Sequence, residues 1–108
     1  MTAFRFALAN VRFPETPGES VALAEQAIDQ AGRDGASLVC FPECYVPGYR
    51  WVGKPWPPPD PAFLESAWSA IAAAARRAGI AVVLGTERVD DGVLLATALV
   101  IDRDGAIA

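Results

Sequence analysis

The sequence predicts an α/β fold: a largely parallel sheet with right-handed helical crossovers, extended by one antiparallel strand. Three observations carry this. Short apolar runs bounded by turn residues recur at 36–41, 80–85 and 93–101. Two segments with apolar residues at helical spacing lie before the second and third strands. The 108 residues are 53% hydrophobic and 20% charged, enough for one small globular core.

Phe4 to Val11 reads FRFALANV, a first strand that stops short of Pro14. Thr16 then caps a helix, Pro17 takes its first position, and Glu19 completes a capping box. Val21, Ala24, Ala27, Ile28 and Ala31 form its apolar stripe, opposite Glu25 and Asp29, and Gly32 and Gly35 close it. Ala36 to Phe41, ASLVCF, is apolar on both faces, as a buried central strand requires. Pro42 to Pro59 reads as loop. A loop this long is often functional, while its proline run alone reads equally as a stiff connector.

Asp60 and Pro61 open a second helix with a stripe of Leu64, Ala67, Trp68, Ile71, Ala74, Ala75 and Ala78, closed by Gly79. Ile80 to Gly85 is a third strand, Asp90-Asp91-Gly92 a turn, and Val93 to Ile101 a fourth strand. After a second turn at Asp102 to Gly105, Ala106 to Ala108 begins a fifth strand. A strand broken off so early leaves an open edge. The expectation is therefore a single domain's N-terminal portion, truncated at its C-terminus.

Charge and composition exclude several functions. The net charge is −4 and the sequence pI about 4.6, with no basic stripe for nucleic acid or an anionic membrane. Histidine is absent, which removes Ser-His-Asp and Cys-His catalysis and most zinc sites from anything the chain does alone. No metal or cofactor is expected. The first strand-to-helix turn, Arg12 to Gly18, has neither GxGxxG nor a P-loop, which argues against a nucleotide-binding module. Cys40 and Cys44 lie in a segment that reads as strand then loop, where an extended rise of about 3.3 Å per residue puts them beyond disulfide reach unless the chain folds back sharply. That fits a reducing, cytoplasmic setting. Residues 1–14 lack the pattern of a signal peptide, and the apolar stretch 67–75 is too short to span a bilayer.

In an open α/β sheet ligands bind beyond the carboxyl ends of the strands. Glu43 stands there, after Phe41-Pro42, followed by Tyr45, Tyr49, Trp51 and Trp56. A carboxylate partly desolvated by such neighbours can accept a proton near neutral pH. From position alone a solvated loop glutamate is the favoured reading.

The stretch from Leu38 to Tyr49, LVCFPECYVPGY, resembles the motif around the catalytic glutamate of the nitrilase, or carbon-nitrogen hydrolase, family. Ala9-Asn10-Val11, Asp34 to Ser37, Ala78 to Arg88 and Ala98 to Gly105 resemble the family's flanking segments in the same order. The resemblance implies a four-layer α-β-β-α sandwich and hydrolysis of a non-peptide carbon–nitrogen bond in a small nitrile or amide. It implies a cysteine nucleophile, a glutamate general base and a lysine that stabilises the tetrahedral intermediate. It also implies a homodimer. Only the glutamate carries over, onto Glu43. The family's lysine and cysteine belong to positions after this chain, and Lys54 does not match. Cys44 neighbours Glu43, but adjacent side chains on extended backbone point apart. The asparagine that the family often has near Ala96-Thr97 is missing.

Glu87 resembles the glutamate of the family's G-x-x-E-R hairpin. It follows a strand end, and reads either as support behind the pocket or as an exposed hairpin charge paired with Arg88 or with nothing. Tyr49 and Tyr45 are the expected substrate-binding residues; Tyr49 and Trp51 could each line a pocket or cover core, with Tyr49 favouring the pocket and Trp51 the core. The competing class is a non-catalytic α/β interaction domain or pseudoenzyme.

Overall fold

The computed structural model describes residues 3–108. Its elements are β1 (Phe6–Leu8), α1 (Pro17–Arg33), β2 (Leu38–Cys40), α2 (Pro61–Ala78), β3 (Ala81–Asp90) and β4 (Val93–Ile101). They form one four-stranded sheet in the order β1-β2-β3-β4. The first two pairings are parallel and β3–β4 is an antiparallel hairpin.

Both helices begin as their sequences require. The Thr16 hydroxyl accepts from the Glu19 N–H at 3.1 Å. The Glu19 carboxylate accepts from the Glu15 N–H at 2.7 Å, one residue before the cap, where a capping box would use the cap's own amide. Asp60 accepts from the amides of Ala62 and Phe63, and Gly79 closes α2 in the left-handed conformation.

Each β-α-β crossover moves the chain one strand along the sheet in the same direction, and right-handedness then puts both helices on one face. Their apolar stripes meet the sheet there. Ile28 and Ala24 of α1 and Ile71, Ala74 and Ala75 of α2 pack with Val39, Val82, Leu84 and Ile101. All are buried. The opposite face is open. Strand alternation and register put three apolar residues on it, Phe6 57% exposed, Leu8 73% and Val100 46%. The chain thus forms one sheet covered on one face by a helical layer.

Four strands differ from expectation. β2 spans Leu38–Cys40 rather than 36–41, and β1 is shorter than 4–11 because only its middle has a partner in that three-residue strand. β3 does not stop at Gly85 but runs to Asp90, since β4 pairs with it from Val82↔Ile101 to Asp90↔Val93. The expected fifth strand is reduced to a bridge between Ile107 and Ile101. Cys40 is only partly buried because it lies on the open face, and both cysteines are free. Among the described residues, no helix is long and apolar enough to cross a membrane.

Candidate active site

The site is built by an excursion of backbone. β2 stays with β3 as far as Phe41, whose N–H donates to the Val83 carbonyl at 2.9 Å. The chain then leaves the sheet in a tight turn, Pro42 to Tyr45, closed by the Tyr45 N–H on the Pro42 carbonyl. It returns at Val46, whose N–H donates to Gly85 and whose carbonyl accepts from Glu87. Glu43 occupies the crest of this excursion.

The excursion lies directly on β3, and that contact dictates Gly85. A Cβ at Gly85 would run into the Pro42 carbonyl and lie 2.9 Å from Glu43 Cα. The next residue, Thr86, is fully buried on the helix side. Its hydroxyl donates to the Val46 carbonyl at 2.8 Å and accepts from the Trp68 indole N–H of α2 at 3.1 Å. Glu87 follows on the other face, 3% exposed. Arg50 grips it through two hydrogen bonds, Nε to Oε2 at 2.6 Å and Nη2 to Oε1 at 3.0 Å, and donates from Nη1 to the Pro57 carbonyl at 2.6 Å. The paired carboxylate holds the Arg50 pKa above its ordinary value. Three successive β3 residues therefore hold both ends of the loop in place.

Glu43 faces a recess of about 380 Å³ lined by Val11, Phe13, Pro42, Tyr45, Tyr49 and Trp51. Its walls come from the β1–α1 and β2–α2 connections, beyond the strand ends. Glu43 itself is exposed, so the aromatic loop does not desolvate it as the sequence suggested. It joins none of the ion pairs among the described residues. Its carboxylate is free to meet a ligand.

The other expected residues separate. Tyr49 is 44% exposed on the recess wall. Tyr45 is 4% exposed, and its hydroxyl donates to the Arg12 carbonyl at 3.0 Å, so it presents a ring edge and no free polar group. Burial raises its pKa. Trp51, expected over core, is 49% exposed and lines the recess. Glu87 lies inside β3 rather than past a strand end, and it is neither exposed nor paired with Arg88, which reaches Asp90 instead. Cys44 takes a positive φ of 49°, and its thiol lies 3.8 Å from the Thr86 carbonyl. Burial raises its pKa, and the carboxylates of Glu43 and Glu87 raise it further, which is opposite to what a nucleophilic thiol needs.

Sequence reasoning missed Arg50 and Gly85. Gly85 was visible only as a strand end. Nothing in Arg50's neighbours announces a partner 37 residues away.

Comparisons with known proteins agree on one lineage. The family profile described as carbon-nitrogen hydrolase matches residues 7–108. A nitrilase of Paraburkholderia phymatum is 33% identical over 108 aligned residues, covering 84% of this chain and 30% of the relative. An aliphatic nitrilase of Rhodococcus rhodochrous is 36% identical over 93 residues, covering 74% of this chain and 25% of that protein. Among solved structures, the amidase of Nesterenkonia sp. AN1 in complex with acrylamide superposes with a TM-score of 0.76 at 23% identity. That match covers 97% of this chain and 40% of the amidase. The chain thus spans about a third of the length of these relatives.

Proposed function

The chain belongs to the carbon-nitrogen hydrolase family, and from that premise we propose that it supplies the general base, Glu43, for hydrolysis of a small nitrile or amide. The carrying observation is the exposed, unpaired carboxylate on a rigid crest, facing an apolar recess. A base must be free to take a proton and fixed where it takes it. Fold and family membership support the same role.

In the proposed reaction a cysteine thiolate attacks the nitrile or amide carbon, and Glu43 takes the thiol proton. A lysine stabilises the charge that develops on the substrate. With an amide, Glu43 returns the proton to the nitrogen, the C–N bond breaks and ammonia leaves a thioester; with a nitrile, attack gives a thioimidate, to which water adds before ammonia leaves. Water then gives a proton to Glu43 and attacks the thioester, the C–S bond breaks, the sulfur recovers that proton, and the acid is released. The thiol and the lysine come from outside this chain. Cys44 has its thiol pKa raised and Lys54 is enclosed by aromatic rings, so neither fits those roles. A glutamate-to-leucine mutant of the solved amidase carries the acetamide moiety of fluoroacetamide added covalently at its active-site cysteine, which supports a cysteine as the nucleophile of the scheme. Tyr49 and Tyr45 form the recess wall against the substrate, and Glu87 holds that wall through Arg50.

The full-length protein works in the cytoplasm as a homodimer, with no nucleic acid or membrane partner. Residues 1–108 alone have no hydrolase activity and self-associate through the open face that displays Phe6, Leu8 and Val100. Light scattering on this chain checks the second point, and a monodisperse monomer contradicts it.

The test of function is ammonia release from a panel of nitriles and amides by the full-length protein and its Glu43→Gln variant. Loss of a general base costs on the order of a hundredfold or more in turnover. Full turnover by a folded Glu43→Gln protein would remove Glu43 from the reaction. A full-length protein inert toward every nitrile and amide would favour the non-catalytic interaction domain.

A further inference from the structure

The long loop contains a second constellation. Chain reversal at Trp51-Val52-Gly53-Lys54 is closed by the Lys54 N–H on the Trp51 carbonyl at 3.1 Å. Gly53 has φ +86°, the left-handed third position of a type II turn. The turn brings the lysine side chain back over its own loop. Its ammonium stands 5.0 Å from the Phe13 ring centroid, 5.4 Å from Trp51 and 5.2 Å from Trp56. The rings meet edge to face, Phe13 to Trp51 at 4.7 Å and Phe13 to Trp56 at 6.0 Å. No carboxylate pairs with Lys54 among the described residues.

Three aromatic faces around one cation form a cage, and each face attracts the charge through its quadrupole. The cage joins two segments distant in sequence. Phe13 belongs to the β1–α1 connection, and the two tryptophans to the β2–α2 loop. Phe13 and Trp51 also line the recess beside Glu43, while Lys54 does not reach it. The lysine therefore touches the back of the recess wall.

We infer that Lys54 is a positioning residue for specificity: its ammonium clasps Phe13 and Trp51 into one wall and so sets how large a substrate group the Glu43 recess admits. Without the cation, nothing else ties Trp51 to Phe13 beyond one edge contact. Arg50 fixes the base of the turn through Glu87 and the Pro57 carbonyl, but at its tip Val52 is fully exposed and Trp51 is 49% exposed. A loosened wall weakens contact with a bulky apolar group and leaves a small one unaffected. The inference rests on the hydrolase reading for its substrate, but the clasp itself does not.

The experiment compares Lys54→Met and Lys54→Arg with the unaltered full-length protein. Methionine keeps much of the stem and removes the charge, whereas arginine keeps the cation and stacks on rings. Hydrogen exchange reads the clasp directly. Lys54→Met should speed exchange in peptides covering 49–56 by roughly two- to thirtyfold, the range expected for losing a cation–π contact. Peptides from α2 should be unchanged, and Lys54→Arg should restore the slow rate. Kinetics read the consequence. KM for an arylacetonitrile or benzamide should rise by a similar factor in Lys54→Met, while KM for acetonitrile or acetamide and kcat for all stay within about twofold. Unchanged exchange at 49–56, or failure of arginine to rescue, overturns the clasp. Faster exchange with an unchanged ratio of bulky to small KM overturns the specificity role. If the unaltered protein hydrolyses nothing, the functional reading has failed. Binding of benzamide against acetamide, followed by tryptophan emission, then decides the wall's role by the same ratio.

Discussion

Glu43 and Glu87 lie on either side of one backbone bridge, where Val46 returns to β3, and their surroundings are opposite. Glu87 is 3% exposed, gripped by Arg50 and spent on structure. Glu43 is exposed, unpaired and carried on a turn that the Glu87 side of the sheet holds still. On the proposed reading, the same functional group serves as anchor in one place and as reagent in the other because of what surrounds it. A catalytic carboxylate needs freedom for its oxygens and rigidity for its backbone, and the two requirements are met by different residues.

The comparison breaks most sharply on the anchor side. Removing one partner of a buried ion pair leaves the other charge without its match, a loss of about 3 kcal/mol. Glu87→Ala or Arg50→Ala in the full-length protein should lower stability by that order in denaturant unfolding. Joint replacement by apolar residues, Arg50→Met with Glu87→Leu, should recover most of it, since a buried pair contributes little beyond its own satisfaction. Equal losses in the single and joint variants would show that Arg50 and Glu87 are not acting as a pair.

Next in size is Gly85→Ala. The added methyl needs the space of the Pro42 carbonyl, so the excursion must lift. Overpacking of this kind costs about 1–3 kcal/mol, and the displaced crest should also lower turnover. A variant of normal stability and normal activity would mean that the crest does not rest on β3.

Smaller effects sharpen the reagent side. Tyr49→Ala removes a half-exposed ring, so stability should change by less than about 1 kcal/mol while selectivity between small and bulky substrates shifts. An unchanged substrate profile with a large stability loss would make Tyr49 core. Cys44 gives the smallest signal. Its raised pKa means less thiolate at any pH below that value than in the unfolded chain. Alkylation of Cys44 at pH 8 should be several-fold slower in the folded protein than in the denatured one. A faster folded rate would contradict the assignment of Cys44 as a bystander.

Much of this was legible in sequence because its causes are local. Thr16 and Asp60 mark helix starts through their own side chains, and the Phe41-Pro42-Glu43 motif lies within one turn. The register of β3 past Gly85 was not legible, since Thr86, Glu87 and Arg88 are polar and become strand only by pairing with β4. The burial of Glu87 depends on Arg50 returning from the loop, and the exposure of Trp51 depends on a turn at Gly53. Each of these is set by a tertiary contact that no periodicity records. The exposed state of Glu43 has the same origin, because its neighbours in sequence, Tyr45 and Trp51, turn away to the wall rather than over the carboxylate.

The division of labour between the two glutamates is tested most directly by one paired measurement: thermal midpoint and turnover per folded molecule for Glu43→Gln and Glu87→Gln in the full-length protein. Glu43→Gln should keep its midpoint and lose at least about a hundredfold in turnover. Glu87→Gln should lose stability and, measured below its lowered midpoint, keep turnover within about tenfold. A Glu43→Gln protein that unfolds early while its folded fraction stays fully active would reverse the two roles.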